Sequence, residues 1–188
     1  MFAPATKALF PFWPMMTLSS GLLAVSGIIL SRRDNVKLFT FHRIDLLLGI
    51  ISPLILYAGF WIAYQIAIRW FGFAAGQVEN IYQMRTGVSP IAITLLLALW
   101  IGPAEEIFWR GFIQNRLSTR LGAPAGFILA TAIYALVHSA SLNLMLIVAA
   151  ALCGGFWGLI FAWRKNLWPV ILSHAIWDVI IFVLWPIR

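Results

Sequence analysis

Five ionisable side chains stand inside runs of sequence that are otherwise apolar. Their types and spacing suit acid–base chemistry on a carbonyl group. Glu105 and Glu106 lie in Gly102-Pro103-Ala104-Glu105-Glu106-Ile107-Phe108-Trp109-Arg110. His138 closes Tyr134-Ala135-Leu136-Val137-His138, and His174 and Asp178 bracket His174-Ala175-Ile176-Trp177-Asp178. A charged group near mid-bilayer costs about 3 kcal/mol or more, so each of these residues marks a functional position that needs a partner.

Helix spacing suggests the partners. Residues four apart share a face, whereas adjacent residues point about 100° apart. Glu106 and Arg110 therefore face each other, in the favourable order of acid before base, and Glu105 is turned elsewhere and available. His174 and Asp178 are also four apart and can form one wall of a common cavity. A carboxylate beside an imidazole in a partly dry cavity can deprotonate water, and a second imidazole can donate to the oxyanion formed when that water attacks a carbonyl. That set is complete for peptide hydrolysis. Ser139, Ser141 and Ser173 adjoin a histidine, but neighbouring helical side chains diverge, which places a serine nucleophile poorly.

The elements that must hold these groups are membrane helices. The chain has 188 residues, 62% hydrophobic and only 10% charged, against roughly a quarter charged in soluble domains. This excludes a water-soluble globule, a disordered chain and an exposed nucleic-acid module. The single cysteine, Cys153, forms no internal disulfide and provides no cysteine zinc site. A span needs about 20 apolar residues, and six are expected: Pro14 to Leu30, Leu46 to Ile68, one from Ile91 through Trp100 into the Glu105 segment, two from Leu121 to Trp163 divided by a turn at Ser139 to Asn143, and Leu167 to Ile187. The fold class is thus all-α, a polytopic transmembrane helix bundle of about six helices. No repeat or linker divides it, so residues 1–188 read as a single integral membrane domain.

Basic residues alternate between the two sides. Arg32, Arg33, Lys37 and Arg43, then Arg110, Arg116 and Arg120, then Arg164 and Lys165 are assigned to the inside, against Lys7, Arg69, Arg85 and Arg188. The positive-inside rule then puts both termini outside. The loop from Arg69 to Gly87 is the most polar outer stretch and is assigned no chemistry. With a turn at Leu121 to Ala123, Glu105 and His138 each stand about 22 Å above it and can meet, while His174 and Asp178 rise only about 12 to 18 Å above theirs. The levels agree only if the first turn projects further into the cytoplasm.

Together these motifs resemble the CPBP intramembrane proteases, the group of CAAX prenyl endopeptidases and bacteriocin-processing or immunity proteins. The matching residues are Glu105-Glu106-x-x-x-Arg110 followed by Gly111, Tyr134-x-x-x-His138 and His174-x-x-x-Asp178, in the family's order, over about Leu95 to Val183. The resemblance implies a helical bundle with a cavity open toward the cytoplasm and the membrane, and an endopeptidase cutting near the C-terminus of a membrane-associated protein or peptide. It implies water activation by Glu105 and His138, oxyanion stabilisation by His174 and Asp178, and orientation of the site by Glu106 and Arg110. Tyr134 replaces the usual Phe and adds a hydroxyl that needs a partner. Asp178 replaces the Asn common in prenyl-protein peptidases; an ionised Asp cannot donate, so it is expected to orient His174 by accepting from its ring N–H. The chain is shorter than those peptidases, which leaves room for a small processing or sorting protease acting on hydrophobic C-terminal tails.

Glu105, His138, His174 and Asp178 are also acceptable zinc ligands, but no His-Glu-x-x-His motif is present, so a metal-free glutamate mechanism without any cofactor is preferred and zinc stays an open alternative. A proton- or ion-coupled transporter and a noncatalytic immunity protein are the other readings. The expected setting is the lipid bilayer of a prokaryotic plasma (inner) membrane, with no nucleic-acid partner. Gly154, Gly155 and Gly158 suit close helix packing. Trp13, Trp70, Trp163, Trp168 and Trp185 suit an interfacial belt, and Trp109 and Trp177 either line a groove or face lipid.

Overall fold

The computed structural model describes residues 11–31 and 38–188; Lys7, Arg32, Arg33 and Lys37 lie outside them. The described residues are all-helical. Helix α1 (Phe12–Leu30) carries Pro14 in its first turn, where backbone N–H groups have no intrahelical acceptor, so it starts two residues earlier than proline avoidance suggests. Helix α2 (Arg43–Trp70) opens with a capping box between His42 and Asp45. A short helix, α3 (Ala74–Tyr82), follows. Helix α4 (Pro90–Leu121) runs for 32 residues. Gly122, at φ 87°, turns the chain into α5 (Ala123–Val137). The expected turn at Ser139 to Asn143 is a single 3₁₀ turn, Ser139–Ser141, followed by Leu142 at φ 54°. The Asn143 side chain then caps α6 (Leu144–Arg164) by accepting from the Leu146 N–H. Lys165, at φ 50°, leads into α7 (Trp168–Leu184).

Helices α1, α2, α4, α6 and α5 with its 3₁₀ extension are long and apolar enough to cross a bilayer, and α7 is a shorter apolar helix. The 21 residues of α6 extend about 32 Å, matching a hydrocarbon core of about 30 Å. Leu22, Ile55, Leu99, Ile128 and Leu159 are each more than half exposed on the outside of the bundle, as expected of surfaces that meet acyl chains rather than water.

Helix α7 is the buried centre. Gly49 of α2 admits Leu172, whose Cβ would lie 2.5 Å from any Cβ placed there, and Gly102 of α4 lies against the Ala175 backbone. The glycines of α6 act as the spacing suggests: Gly154 sits on the Tyr134 ring and Gly158 on Phe127. Their bare backbones also accept hydrogen bonds from α4. Arg110 donates to the Gly154 carbonyl at 3.3 Å and Gln114 to the Gly158 carbonyl at 2.8 Å, so one four-residue repeat meets another.

At the end of the bundle bearing Arg43, Arg120 and Arg164, buried Asp45 collects the Arg164 guanidinium at 3.0 and 3.1 Å, the Asn166 amide at 3.1 Å and the His42 backbone N–H at 3.0 Å. Asn166 also donates to the Thr40 carbonyl. This network ties the start of α2 to the α6–α7 turn. At the opposite end α3 is held to the start of α6: Asn143 donates to the Gln77 carbonyl at 2.8 Å, and the Met145 N–H donates to Gln77 Oε1 at 3.0 Å. Trp13 does not join an interfacial belt. It is 6% exposed and donates its indole N–H to the Met84 carbonyl at 2.9 Å, whereas Trp70, Trp163 and Trp185 are well exposed.

Candidate active site

Helix α4 is not a regular helix where the two glutamates stand. π-helical stretches over Leu97–Ile101 and Ile107–Gln114 flank the α-helical turn Gly102–Glu106. Pro103 has no N–H to give, and the bond before it reaches back five residues, from the Gly102 N–H to the Leu97 carbonyl. Each wide turn shifts the register of the residues after it, so the direction of Glu105 and Glu106 depends on both proline and packing.

The two acids part company as their adjacency suggests. Glu106 is fully buried. Its Oε1 accepts from Arg110 Nη1 at 2.8 Å and lies 2.7 Å from His174 Nδ1, while Oε2 has no hydrogen-bond partner among the described residues. Arg110 is stacked between aromatic faces, 4.9 Å from the Tyr134 ring centroid and 5.5 Å from that of Trp157. Glu105, half-buried, accepts at Oε2 from the Tyr134 hydroxyl at 2.9 Å. That is the partner the extra hydroxyl requires. The same tyrosine's carbonyl lies 2.8 Å from His138 Nδ1. A carbonyl only accepts, so Nδ1 carries the proton and the lone pair of the neutral ring resides on Nε2.

His174 is held on three sides. Its ring lies on Trp157 at 3.8 Å with planes 17° apart, Nδ1 meets Glu106, and Nε2 is 3.5 Å from Asp178 Oδ2. The expected orienting contact from Asp178 is therefore the longer one, and Glu106 supplies the close one. Helical spacing brings Asp178 to the same ring, but Glu106 arrives from another helix at a shorter distance. Below the stack, Ser173 accepts from Trp157 Nε1 at 3.1 Å and from the Ser52 hydroxyl at 2.8 Å. Ser173 thus supports the ring that supports His174.

A cavity of about 550 Å³ joins these groups. Glu105, His138, His174 and Asp178 are the acidic and imidazole side chains on its wall, and the rest of the lining is almost wholly apolar or aromatic, including Trp157, Trp177, Phe60 and Ile101. Glu106 and Arg110 are not on the wall; they stand behind it. Trp177 lines the cavity, whereas Trp109 is packed edge-on to Tyr134 and Phe108, buried and facing neither cavity nor lipid. The Arg69 to Gly87 loop, assigned no chemistry from sequence, contributes Val78, Ile81, Tyr82 and Met84 to the wall. Its amphipathic spacing over Ala74–Tyr82 is the signal that could have flagged it. Among the described residues, no group of three or more His, Cys, Asp and Glu side chains is arranged to hold a metal ion.

Residues 87–180, half of the chain, match the family model described as Type II CAAX prenyl endopeptidase Rce1-like. The matched stretch contains α4, α5, α6 and most of α7, with all six site residues. The chain belongs to the Rce1-like family of type II CAAX prenyl endopeptidases. It is a membrane-embedded hydrolase of peptide bonds, and the resemblance carried by its three motifs is established at the level of family. The Rce1-like segment builds the polar wall of the cavity, while α1, α2 and α3, outside it, supply much of the apolar wall. No curated relative and no solved structure matches the chain.

Proposed function

We propose that this Rce1-like peptidase activates water with Glu105 and His138 and stabilises the resulting oxyanion with His174, without a metal ion. The observation that carries this reading is the division of the six polar residues by position. Four face the cavity, and the Glu106–Arg110 pair stands behind His174 and fixes its ring. A buried ion pair costs desolvation energy and adds little stability, so its contact with a cavity-lining imidazole is better understood as positioning.

In this mechanism water in the cavity gives a proton to Glu105, or to His138 Nε2, as its oxygen attacks the substrate carbonyl. The Tyr134 hydroxyl holds Glu105 by one oxygen and leaves the other for the water. His174, with Nδ1 against Glu106, presents Nε2 toward the developing oxyanion beside Asp178; a proton on Nε2 makes it the donor. The tetrahedral intermediate collapses as the amide C–N bond breaks. The water oxygen remains in the new carboxylic acid, which then ionises to solvent, and the proton held by the Glu105–His138 pair passes to the leaving amine.

The substrate is a membrane-associated protein or peptide, because the acid lies in a cavity whose apolar and aromatic wall is built from all seven helices. The test is cleavage of an apolar, membrane-anchored peptide by purified protein in detergent or vesicles. Cleavage should occur with the unsubstituted protein and be lost with Glu105→Gln. Undiminished cleavage by that variant would remove the mechanism.

A further inference from the structure

Serine and threonine hydroxyls inside a helix commonly bond back to a carbonyl about one turn earlier on the same helix. Thr17, Ser26, Thr94 and Thr119 do so here, each to the carbonyl four residues before it. Ser173 does not. Fully buried on α7, it meets the Trp157 indole N–H of α6 at 3.1 Å and the Ser52 hydroxyl of α2 at 2.8 Å. One hydroxyl thus joins three helices beside the ring on which His174 rests.

Ser52 reaches two acceptors with a single proton, the Leu48 carbonyl one turn back on its own helix and Ser173 Oγ. A hydroxyl has two lone pairs and one proton, so Ser173 accepts from Trp157 whichever way the proton between the two serines points. Trp157 is fully buried, and without that acceptor its N–H would be left unpaired away from water. The two hydroxyls come within reach because Gly49, three residues before Ser52, lets Leu172 of α7 close on the α2 backbone.

His174 needs two constraints before its free nitrogen has a direction. Glu106 lies 2.7 Å from Nδ1, which fixes one atom of the ring and leaves the plane free to turn about that contact. The Trp157 ring, 3.8 Å away and 17° from parallel, fixes the plane. Together they aim Nε2. The orientation of Trp157 is in turn set by its bond to Ser173, and the same indole lies against the Arg110 guanidinium at 5.5 Å, so a turn of this ring disturbs both mounts of the imidazole.

We propose that Ser52 is a positioning residue of the peptidase site: through Ser173 and Trp157 it sets the plane of His174 and with it the direction of Nε2 toward the substrate carbonyl. This rests on the oxyanion role given to His174 above. Ser52 is not on the cavity wall and lies outside the stretch that matches the family model. It acts on the reaction without touching substrate, and α2 contributes to the chemistry as well as to the apolar wall.

The test is steady-state cleavage of an apolar, membrane-anchored peptide by purified Ser52→Ala, Ser173→Ala and the double variant, beside the parent and Glu105→Gln. All are assayed well below the melting temperatures measured on the same preparations. A misplacement of about 1 Å can cost about 100-fold in rate; with Nδ1 still held by Glu106, Ser52→Ala should lower kcat about 10-fold and leave KM within about twofold. The double variant should be no slower than Ser173→Ala, since both changes break one chain of contacts. Ser52→Thr, which keeps the hydroxyl, should restore the kcat of the parent. An unchanged kcat, a loss confined to KM, falls in kcat that multiply in the double variant, or a Ser52→Thr as slow as Ser52→Ala each overturns the positioning role. If Ser52→Ala does not accumulate, Ser52→Cys, which keeps the volume and only a weak donor, is read in the same way. Glu105→Gln keeps the two questions apart. If it is inactive while Ser52→Ala turns over like the parent, the positioning role alone falls; if it cleaves like the parent, the mechanism falls and this role with it.

Discussion

Glu106 and His174, 68 positions apart, share the closest polar contact of the site: the imidazole Nδ1 lies 2.7 Å from the carboxylate oxygen that Arg110 also holds at 2.8 Å. One oxygen thus joins α4 to α7 and converts an ion pair on a single helix into a mount for a cavity-lining ring. Removing the carboxylate charge by Glu106→Gln leaves Arg110 buried and uncompensated, and breaking such a pair costs about 3 to 5 kcal/mol. The variant should melt at a lower temperature and lose activity. Adding Arg110→Met removes the orphaned charge and should recover much of the thermal stability but not the turnover. Recovery of both in the double variant, measured by thermal shift and peptide cleavage, would show that the pair is structural only.

Glu105→Gln keeps the size of the side chain and an acceptor for the Tyr134 hydroxyl but removes the base. General-base catalysis contributes about 10² to 10⁴-fold, so kcat should fall by at least about 100-fold. Yield in the membrane and melting temperature should match those of the parent, because Glu105 is half-buried on a cavity wall and not part of the Glu106 network.

Tyr134→Phe tests whether holding Glu105 matters. The ring that packs on Gly154 and under Arg110 remains, and only the hydroxyl bond to Glu105 is lost. A hydrogen bond to a charged group is worth about 1.5 to 3 kcal/mol, although part is recovered when water replaces it. Turnover should drop about 10-fold with little change in KM. An unchanged kcat would assign the hydroxyl to packing alone.

Treatment with a strong chelator, followed by elemental analysis, tests the metal-free mechanism directly. Turnover should persist in protein with no stoichiometric zinc. Loss of activity restored by added zinc would replace the glutamate mechanism with a metal-dependent one using cavity residues such as Glu105 and His138.

Replacing Gly154 by Leu tests the helix spacing on which the site depends. A Cβ at this position already meets Tyr134 Cδ1 at 3.0 Å, so a larger side chain must push α5 from α6. Overpacking of this kind costs about 1 to 3 kcal/mol. The displaced tyrosine should cost turnover out of proportion to the loss of stability, as read from activity and melting temperature of the same preparation.

The sequence alone determined the helical, membrane-embedded character of the chain, because runs of apolar residues long enough to cross a bilayer have few other folds open to them. It determined the pairing of Glu106 with Arg110 and the shared face of His174 and Asp178, because a helix brings residues four apart together by its own local geometry. It also located the turns, with Gly122 and the Ser139 to Asn143 stretch interrupting helices where expected. Tertiary structure decided which groups from different helices meet. The contact between Glu106 and His174, the Tyr134 hydroxyl on Glu105, and Trp157 beneath His174 each depend on the rotation and depth of separate helices. Those are set by how closely Gly49, Gly102 and Gly154 let backbones approach and by π-helical turns that no apolar periodicity announces. That the cavity lies at the end where Phe12 and Ile187 stand is likewise a property of assembly, since the position of a cavity belongs to the packed bundle and not to any one of its helices.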